Sequence, residues 1–368
     1  MITITKRILK IVATTITTIC LLVLFSWIIF LRTSLVTDEQ GLKYTVAPGA
    51  SLNSVVHDLY LLNVIRHPAL FNFLVYLKGG KHELKAGEYF FQKGTRPTKL
   101  LNQIVTGSGM VYHTFTVVAG WNFRHLRDVL DKDPNLQHAS TAMSEAAIMQ
   151  SLGSPGLMPE GWFYPDTYYF MKGSTDLALL KRSFHLMQNK LNSIWKNRDL
   201  GLPYQTQEQV LTVASLVEKE TALDKERPVI AGVIANRLKK NMLLQIDPTV
   251  IYAIGKHYNG IIYKTDLSSD SPYNTYKHKG LPPTPIAMPG MVSIQAALHP
   301  QHHNFYYFVA KNATTAEGGH QFSETLEQHY AAIAIAKQNQ IQSYFNDHLM
   351  NSYLLKQLLI TMDMKQIN

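Results

Sequence analysis

The chain has 368 residues, 46% apolar and 17% charged, which is ordinary globular composition and long enough for two or more domains with their own cores. A formal net charge of +9 suits a polyanionic partner, but no concentrated Lys/Arg patch or zinc-finger spacing appears, which argues against nucleic acid. The only cysteine is Cys20, so disulfides and thiol chemistry are excluded from everything that follows it.

The first element is a run of 21 uncharged residues, Ile11 to Leu31. As a helix it reaches about 30 Å, the thickness of a bilayer core. Lys6, Arg7 and Lys10 precede it, which places the short N-terminus in the cytoplasm and the rest of the chain outside. The run is long for a signal peptide and ends in WIIFLRT without a small-residue cleavage pattern, so an uncleaved anchor is expected. A polar linker over 32–43 follows. Tyr44 to Ile65 then reads as a strand, a Pro-Gly turn and a helix capped by Ser51. Further helices are expected over 68–77 and 98–106, with strands over 85–91 and 111–117.

From Trp121 the pattern becomes more helical. Helices are expected over 123–130, 144–152, 176–194, 206–220 and 228–240, the fourth with capping-box spacing between Thr206 and Gln209. Turn-rich stretches SSDSPYNTY and GLPPTPIAMPG lead to a short helix over 293–298. A strand pair over 304–310 and 320–324 and a helix over 325–337 complete the folded part, leaving a tail from Gln338. No repeats or low-complexity blocks appear.

The segment LTVASLVEKET, Leu211 to Thr221, carries the sharpest chemical question. Helical spacing continues the apolar face of Leu211 and Ala214 into Glu218, while Glu220 stands in a similar relation to Val213, Leu216 and Val217. The pattern alone does not choose between the two acids. A carboxyl at the edge of an apolar pocket loses hydration, holds its proton more tightly and can act as an acid near neutral pH; the other reading is a helix end whose acids pair with Lys219, Lys225 or Arg227. EGWFYPDTYYF sets two acids among aromatic faces of the kind that stack on sugar rings, or else forms an aromatic core loop. LLQIDPTVIYAIG places Gln245 and Asp247 before an apolar run, as groove residues or as a polar turn. The prolines of 271–290 suit a groove wall or a surface loop. His299, His302, His303 and His320 match no metal spacing, and no G-x-S-x-G elbow is present; neither a metal nor any other cofactor is expected.

ASLVEKET, ERPVIAGVIANRL and LQIDPTVIYAIG, with EGWFYPDTYYF, SPYNTY, GLPPTPIAMPG and GGHQFSETLEQH in order, resemble the endolytic murein transglycosylase family, the YceG-like (MltG) proteins. The resemblance spans about residues 40 to 335. It implies an α+β fold: a single N-terminal transmembrane helix over 11–31 after a cytoplasmic 1–10, the 32–43 linker, a small LysM-like glycan-binding module over 44–117, a larger mixed α+β catalytic domain of the YceG-like type over 118–337, and the tail 338–368. Tyr44, Val46, Gly49 and Ser51 carry the LysM likeness.

The activity implied is that of a peptidoglycan lyase, cutting inside glycan strands and leaving a 1,6-anhydro end. The resemblance puts the catalytic glutamate on Glu218, with Glu220 as rival acid. Asp166, Gln245, Asp247, Tyr252, Tyr273 and Asn274 fall in its motif blocks as groove or supporting residues. Implied partners are peptidoglycan strands and penicillin-binding synthases, with the bacterial inner membrane holding the N-terminal helix and the catalytic domain in the periplasm. KNATTAEGGH replaces the family's short Gly-rich turn before the G-G-H piece, a departure that touches loop contacts near the groove. Two alternatives stand beside the lyase. One is a non-catalytic glycan-binding scaffold. The other is a water-adding muramidase, which needs a second carboxylate across the groove, Asp247 or Asp166.

Overall fold

The computed structural model describes residues 2–79, 84–311 and 318–339, which divide into two compact units. The first comprises Met1–Phe115 with Pro134–Gln137 and Tyr169–Thr175; the second comprises Thr116–Asp133, His138–Tyr168 and the chain from Asp176 onward. The tail from Gln340 and residues 312–317 of the KNATTAEGGH departure lie outside the described residues.

In the first unit, α1 (Ile2–Arg32) is longer than the apolar run, because nothing in the basic segment before it breaks a helix. The hydroxyls of Thr14, Thr15, Thr17 and Thr18 donate to carbonyls three or four residues back at 2.8–2.9 Å, so none is left unsatisfied on an apolar helix. There follow β1 (Leu42–Val46), α2 (Leu52–Leu61), α3 (Pro68–Leu77), β2 (Gly87–Phe91), α4 (Pro97–Thr106) and β3 (Tyr112–Thr116). Ser51 caps α2 as expected, its hydroxyl accepting from the Ser54 amide at 3.1 Å. Pro68 opens α3 at a position whose N–H would have had no helical partner. The two helices return the chain so that β1 and β2 pair antiparallel, Leu42 opposite Phe91 and Val46 opposite Gly87. Val46, Leu59, Ile65, Phe71, Phe91, Leu100 and Ile104 fill the core between them, and the end of α1 joins it through buried Phe30. Tyr89 is also fully buried, and its hydroxyl donates to the Lys85 carbonyl at 2.6 Å.

The second unit contains α5 (Phe123–Leu130), α6 (Glu145–Ser151), α7 (Asp176–Trp195), α8 (Gln207–Glu220), α9 (Arg227–Lys239), α10 (Asp247–Ile254), α11 (Lys264–Leu267), α12 (Met291–Leu298), and a helix over residues 326–339, α13. β5 (Tyr307–Ala310) and β6 (His320–Ser323) pair antiparallel, Tyr307 opposite Ser323, as the sequence suggests. One strand had no counterpart in the sequence reading. β4 (Thr167–Met171), which from Tyr169 onward belongs to the first unit, ends the aromatic EGWFYPDTYYF stretch and pairs with β3. Its burial alternates, Tyr168 and Phe170 in and their neighbours out, a period of two that the density of aromatics masks.

The centre of this unit is α8. Its capping box forms, with the Thr206 hydroxyl accepting from the Gln209 amide and the Gln209 side chain from the Thr206 amide, both at 3.2 Å. Every residue from Val210 to Val217 is buried, so α8 is a core helix apolar on all sides. Each fully buried Leu or Val contributes roughly 1.5–3 kcal/mol. The two polar members bond locally or to a loop: Thr212 donates to the Glu208 carbonyl, while Ser215 donates to the Thr212 carbonyl and accepts from the Ile286 amide at 3.0 Å. α9 and α12 lie alongside it. Gly232 lets α9 approach the 301–303 segment, since a side chain there would collide with the Gln301 carbonyl.

Candidate functional site

α8 emerges from the core as Glu218-Lys219-Glu220, and the two acids meet different surroundings. The Glu218 side chain keeps only 7% of its exposure. Its Oε2 lies 2.6 Å from Nη1 of Arg227, the first residue of α9, and accepts from the Gly290 amide at 2.9 Å. Gly290 is the N-cap of α12, so the carboxylate also meets the positive end of that helix. Arg227 bonds in addition to the Ser293 hydroxyl and pairs with Asp224 at 3.1 Å. Of the two readings of this segment, Glu218 matches the helix-end acid paired with Arg227, although the pair lies in a nearly dry place. Removing either member of the pair would leave the other buried without its counter-charge. Glu218 belongs to neither of the clefts described next.

Glu220 is half-buried and lines a cleft of about 430 Å³ with Gln245, Asp247, Tyr276, Arg237 and His320. Burial, then the charge of Asp247, raise its pKa to about 8, against a smaller opposing pull from Arg237. It therefore holds its proton more tightly than an ordinary carboxyl group. Asp247 is held by the hydroxyl of Tyr276, whose own ionisation is suppressed by burial and by that bond. Arg237 is fixed by carbonyls, donating to Tyr306 and Leu244 at 2.6 Å each. Gln245 sits at φ +52°, a left-handed conformation uncommon outside glycine, and its amide bonds to the Thr275 carbonyl at 3.1 Å. The Thr275 hydroxyl accepts from the Ile246 amide at 2.9 Å, and together these bonds tie the 271–276 loop to the entry of α10.

The remaining candidates separate. Tyr252 lines a second cleft of about 270 Å³ together with Arg124, Lys219 and Lys256. Its hydroxyl donates to Glu160 at 3.0 Å, and its ring lies 4.8 Å from that of Tyr273. The Tyr273 hydroxyl bonds to that of Thr284 at 2.9 Å. Asn274 is fully buried, as a supporting rather than a groove-facing residue. Its amide donates to the carbonyls of Leu267 and Ser269 at 3.0 and 2.8 Å, and its Oδ1 accepts from the Tyr276 amide, so its role is to shape the loop. Asp166 is exposed, accepts from the adjacent Thr167 amide at 2.7 Å and lines neither cleft.

Sequence reasoning passed over Glu160, the other acid of EGWFYPDTYYF. It is buried and takes the Phe123 amide on both oxygens at 3.0 and 3.1 Å, as well as the Tyr252 hydroxyl. Burial raises its pKa to about 7 against the hydrogen bonds that lower it. Gly161 beside it has φ +81°, and a Cβ there would stand 2.5 Å from Pro285. That E-G turn was the available signal. Tyr276 and Arg237 were also unmarked; Tyr276 lies within the quoted SPYNTY, next to two residues that were singled out.

Asp131, His138 and Asp176 bring ligand atoms within 4.8 Å of one another. Asp176 is already taken by the Ala139, Ser140 and Leu177 amides and the Ser140 hydroxyl, which identifies it as a loop organiser. The histidines have separate partners: His299 with Asp199, His303 with the Val229 carbonyl, and His320 with Glu226.

Comparison with known proteins agrees with the motif order. The YceG-like family model matches residues 44–335. The endolytic murein transglycosylase of Bacillus subtilis (strain 168) is 31% identical over 316 residues, covering 80% of this chain and 84% of that protein. The endolytic murein transglycosylase of Streptococcus pneumoniae (strain D39) is 27% identical, over 81% of this chain but 59% of its own greater length. A crystal structure of a putative yceG-like protein from Listeria monocytogenes aligns with TM-score 0.51 at 26% identity, covering 80% of this chain and 99% of that one. This chain belongs to the YceG-like family.

Proposed function

We propose that the protein is an endolytic murein transglycosylase, and that Glu220 rather than Glu218 is its acid. The observation that carries this assignment is the contrast at the end of α8: Glu220 lines an open polar cleft beside Asp247, where its pKa is raised, whereas Glu218 is committed to Arg227 inside the domain. The relatives' names supply the substrate, a murein glycan strand.

In this reading Glu220 gives its proton to the glycosidic oxygen leaving the muramoyl C1 as that C–O bond breaks. The 6-hydroxyl of the same sugar attacks C1 and yields its proton to the Glu220 carboxylate. The product is a 1,6-anhydro ring, Glu220 is again protonated, and no water enters. One carboxyl group suffices because the nucleophile belongs to the substrate, whose intramolecular position lowers the barrier. Asp247 keeps Glu220 protonated by like charge, and Tyr276 holds Asp247. Gln245 is available as a hydrogen-bonding partner for sugar hydroxyls. Tyr252, Tyr273 and Asn274 shape the walls and the loop.

The same cleft also accommodates a second reading. Asp247 lines the same cleft as Glu220, and a water-adding muramidase needs a second carboxylate across its groove. Mass spectrometry of products from purified peptidoglycan separates the two. Anhydro ends that disappear with Glu220→Gln establish the lyase and its acid; reducing ends point to hydrolysis. A folded protein that binds glycan and cuts nothing is a scaffold.

The helix from Lys6 to Arg32 is long and apolar enough to cross a membrane, and with its basic start it serves in this reading as the inner-membrane anchor, catalytic unit outside. The strand–helix–helix–strand order of β1, α2, α3 and β2 supports the LysM-like, glycan-holding role of the first unit. Penicillin-binding synthases, which produce nascent strands, are the expected partners.

A further inference from the structure

The first unit leaves a row of large apolar side chains uncovered. On α3, Phe71, Leu74 and Val75 are buried, but Phe73, Tyr76 and Leu77 are 49%, 74% and 56% exposed. Their spacing of three and four residues puts them on one face. Arg66 and His67 precede this helix and Lys78 follows it, all exposed. A short helix with an apolar outer face and basic ends has the composition of a segment that lies in a membrane interface.

What covers that face is indicated by α1. The Phe73 ring packs edge-on against Trp27 of α1, with centroids 5.2 Å apart. Trp27 stands about 24 Å along the helix axis from Ile11, where the apolar run begins, and the hydrocarbon core is about 30 Å thick. The contact therefore falls within about 6 Å of the outer boundary of the hydrocarbon core, close to the zone where tryptophan and tyrosine concentrate. Arg66 and His67 line a cleft of about 640 Å³ together with Ser26, Ile29, Phe30 and Thr33 of the same helix and its exit. Hydroxyls, an arginine and a histidine at that depth match phospholipid headgroups.

We propose that the exposed face of α3 rests in the outer interface of the membrane crossed by α1, with Phe73, Tyr76 and Leu77 among the lipid chains and Arg66, His67 and Lys78 at headgroup level. The first unit is then seated on the bilayer by a surface of its own, and α1 is more than a tether. The proposal rests on the anchor reading of α1 and is independent of the catalytic one.

The test uses the full chain in nanodiscs of phosphatidylethanolamine and phosphatidylglycerol, with or without bromine on the acyl chains, and an environment-sensitive fluorophore on one cysteine. The native Cys20 reports α1. In a Cys20→Ser background, Tyr76→Cys and Leu77→Cys report α3, and Ser54→Cys on the water-facing side of α2 serves as the control. The expected result is loss of fluorescence in brominated discs at positions 20, 76 and 77 and none at 54. Quenching at 20 alone overturns the α3 proposal and keeps the anchor. Quenching at 76 and 77 without 20 overturns the anchor and with it this proposal, in which α1 crosses the membrane that α3 rests on. An interchain disulfide through Tyr76→Cys with no quenching overturns the proposal in favour of a second copy on this face. Cleavage of murein by the same samples is scored separately, so failure of the enzymatic reading does not decide this one.

Discussion

Glu218 and Arg227 meet at 2.6 Å with their side chains 7% and 11% exposed, so the end of α8 and the start of α9 are joined by a nearly dry ion pair. Removing one partner strands the other. Glu218→Gln is expected to cost about 3–5 kcal/mol, read as a lower urea midpoint. Glu218→Gln with Arg227→Met should recover much of that loss. A Glu218→Gln protein as stable as the native one, yet inactive, would return the acid's role to Glu218.

Glu220 gives the opposite pattern. Glu220→Gln should lower kcat by about 10²–10⁴ while leaving glycan binding in place and stability equal or higher. The direction of the pH effect follows from its raised pKa. Between the ordinary carboxyl value of 4.5 and about 8, the folded state keeps a proton that the unfolded chain releases, so this group lowers stability as pH rises through that window. Glu220→Gln removes the effect: denaturation at pH 4.5 and pH 8 should show the variant gaining on the native protein only at the higher pH. Activity that needs the protonated acid should fall as pH passes about 8.

Asp247 should control where that fall occurs. Its charge helps to raise the Glu220 pKa, so Asp247→Asn should move the alkaline limb of the kcat profile to lower pH. Tyr276→Phe should move it the same way by a smaller amount, because the Tyr276 hydroxyl fixes where the Asp247 carboxylate stands beside Glu220. A limb unmoved in both variants would detach Asp247 from the acid.

The Asn274 side-chain amide satisfies buried carbonyls inside the 266–276 loop. Asn274→Ala should cost about 1–3 kcal/mol and raise KM more than it lowers kcat, since it loosens a wall of the cleft and leaves the acid untouched. Denaturation and steady-state kinetics on the same preparation check both parts.

Helices such as 68–77 and 123–130 were legible to the residue, because proline or asparagine starts and apolar periodicity are local signals. So was the arrival of two acids at the end of a buried helix. Their division of labour was not legible. It depends on Arg227 nine positions on, Gly290 on another helix and Asp247 across the cleft, and none of these enters the periodicity of 211–220. Asp166 and Glu160 illustrate the same limit. Both stand in one aromatic stretch, yet only the fold brings Glu160 to the Phe123 amide and leaves Asp166 in water.

One consequence of a strut and an acid sharing the last turn of α8 concerns insertions and deletions. An α-helix turns about 100° per residue. Adding or losing one residue between Val210 and Val217 would swing both carboxylates around the axis together, taking Glu218 off Arg227 and Glu220 out of its cleft in a single event. Substitutions can be tolerated one at a time along this helix, but its length cannot drift. Natural variants of the domain should therefore change in size at the loops after Thr221 and before Thr206, and keep the distance from the capping box to the two acids constant.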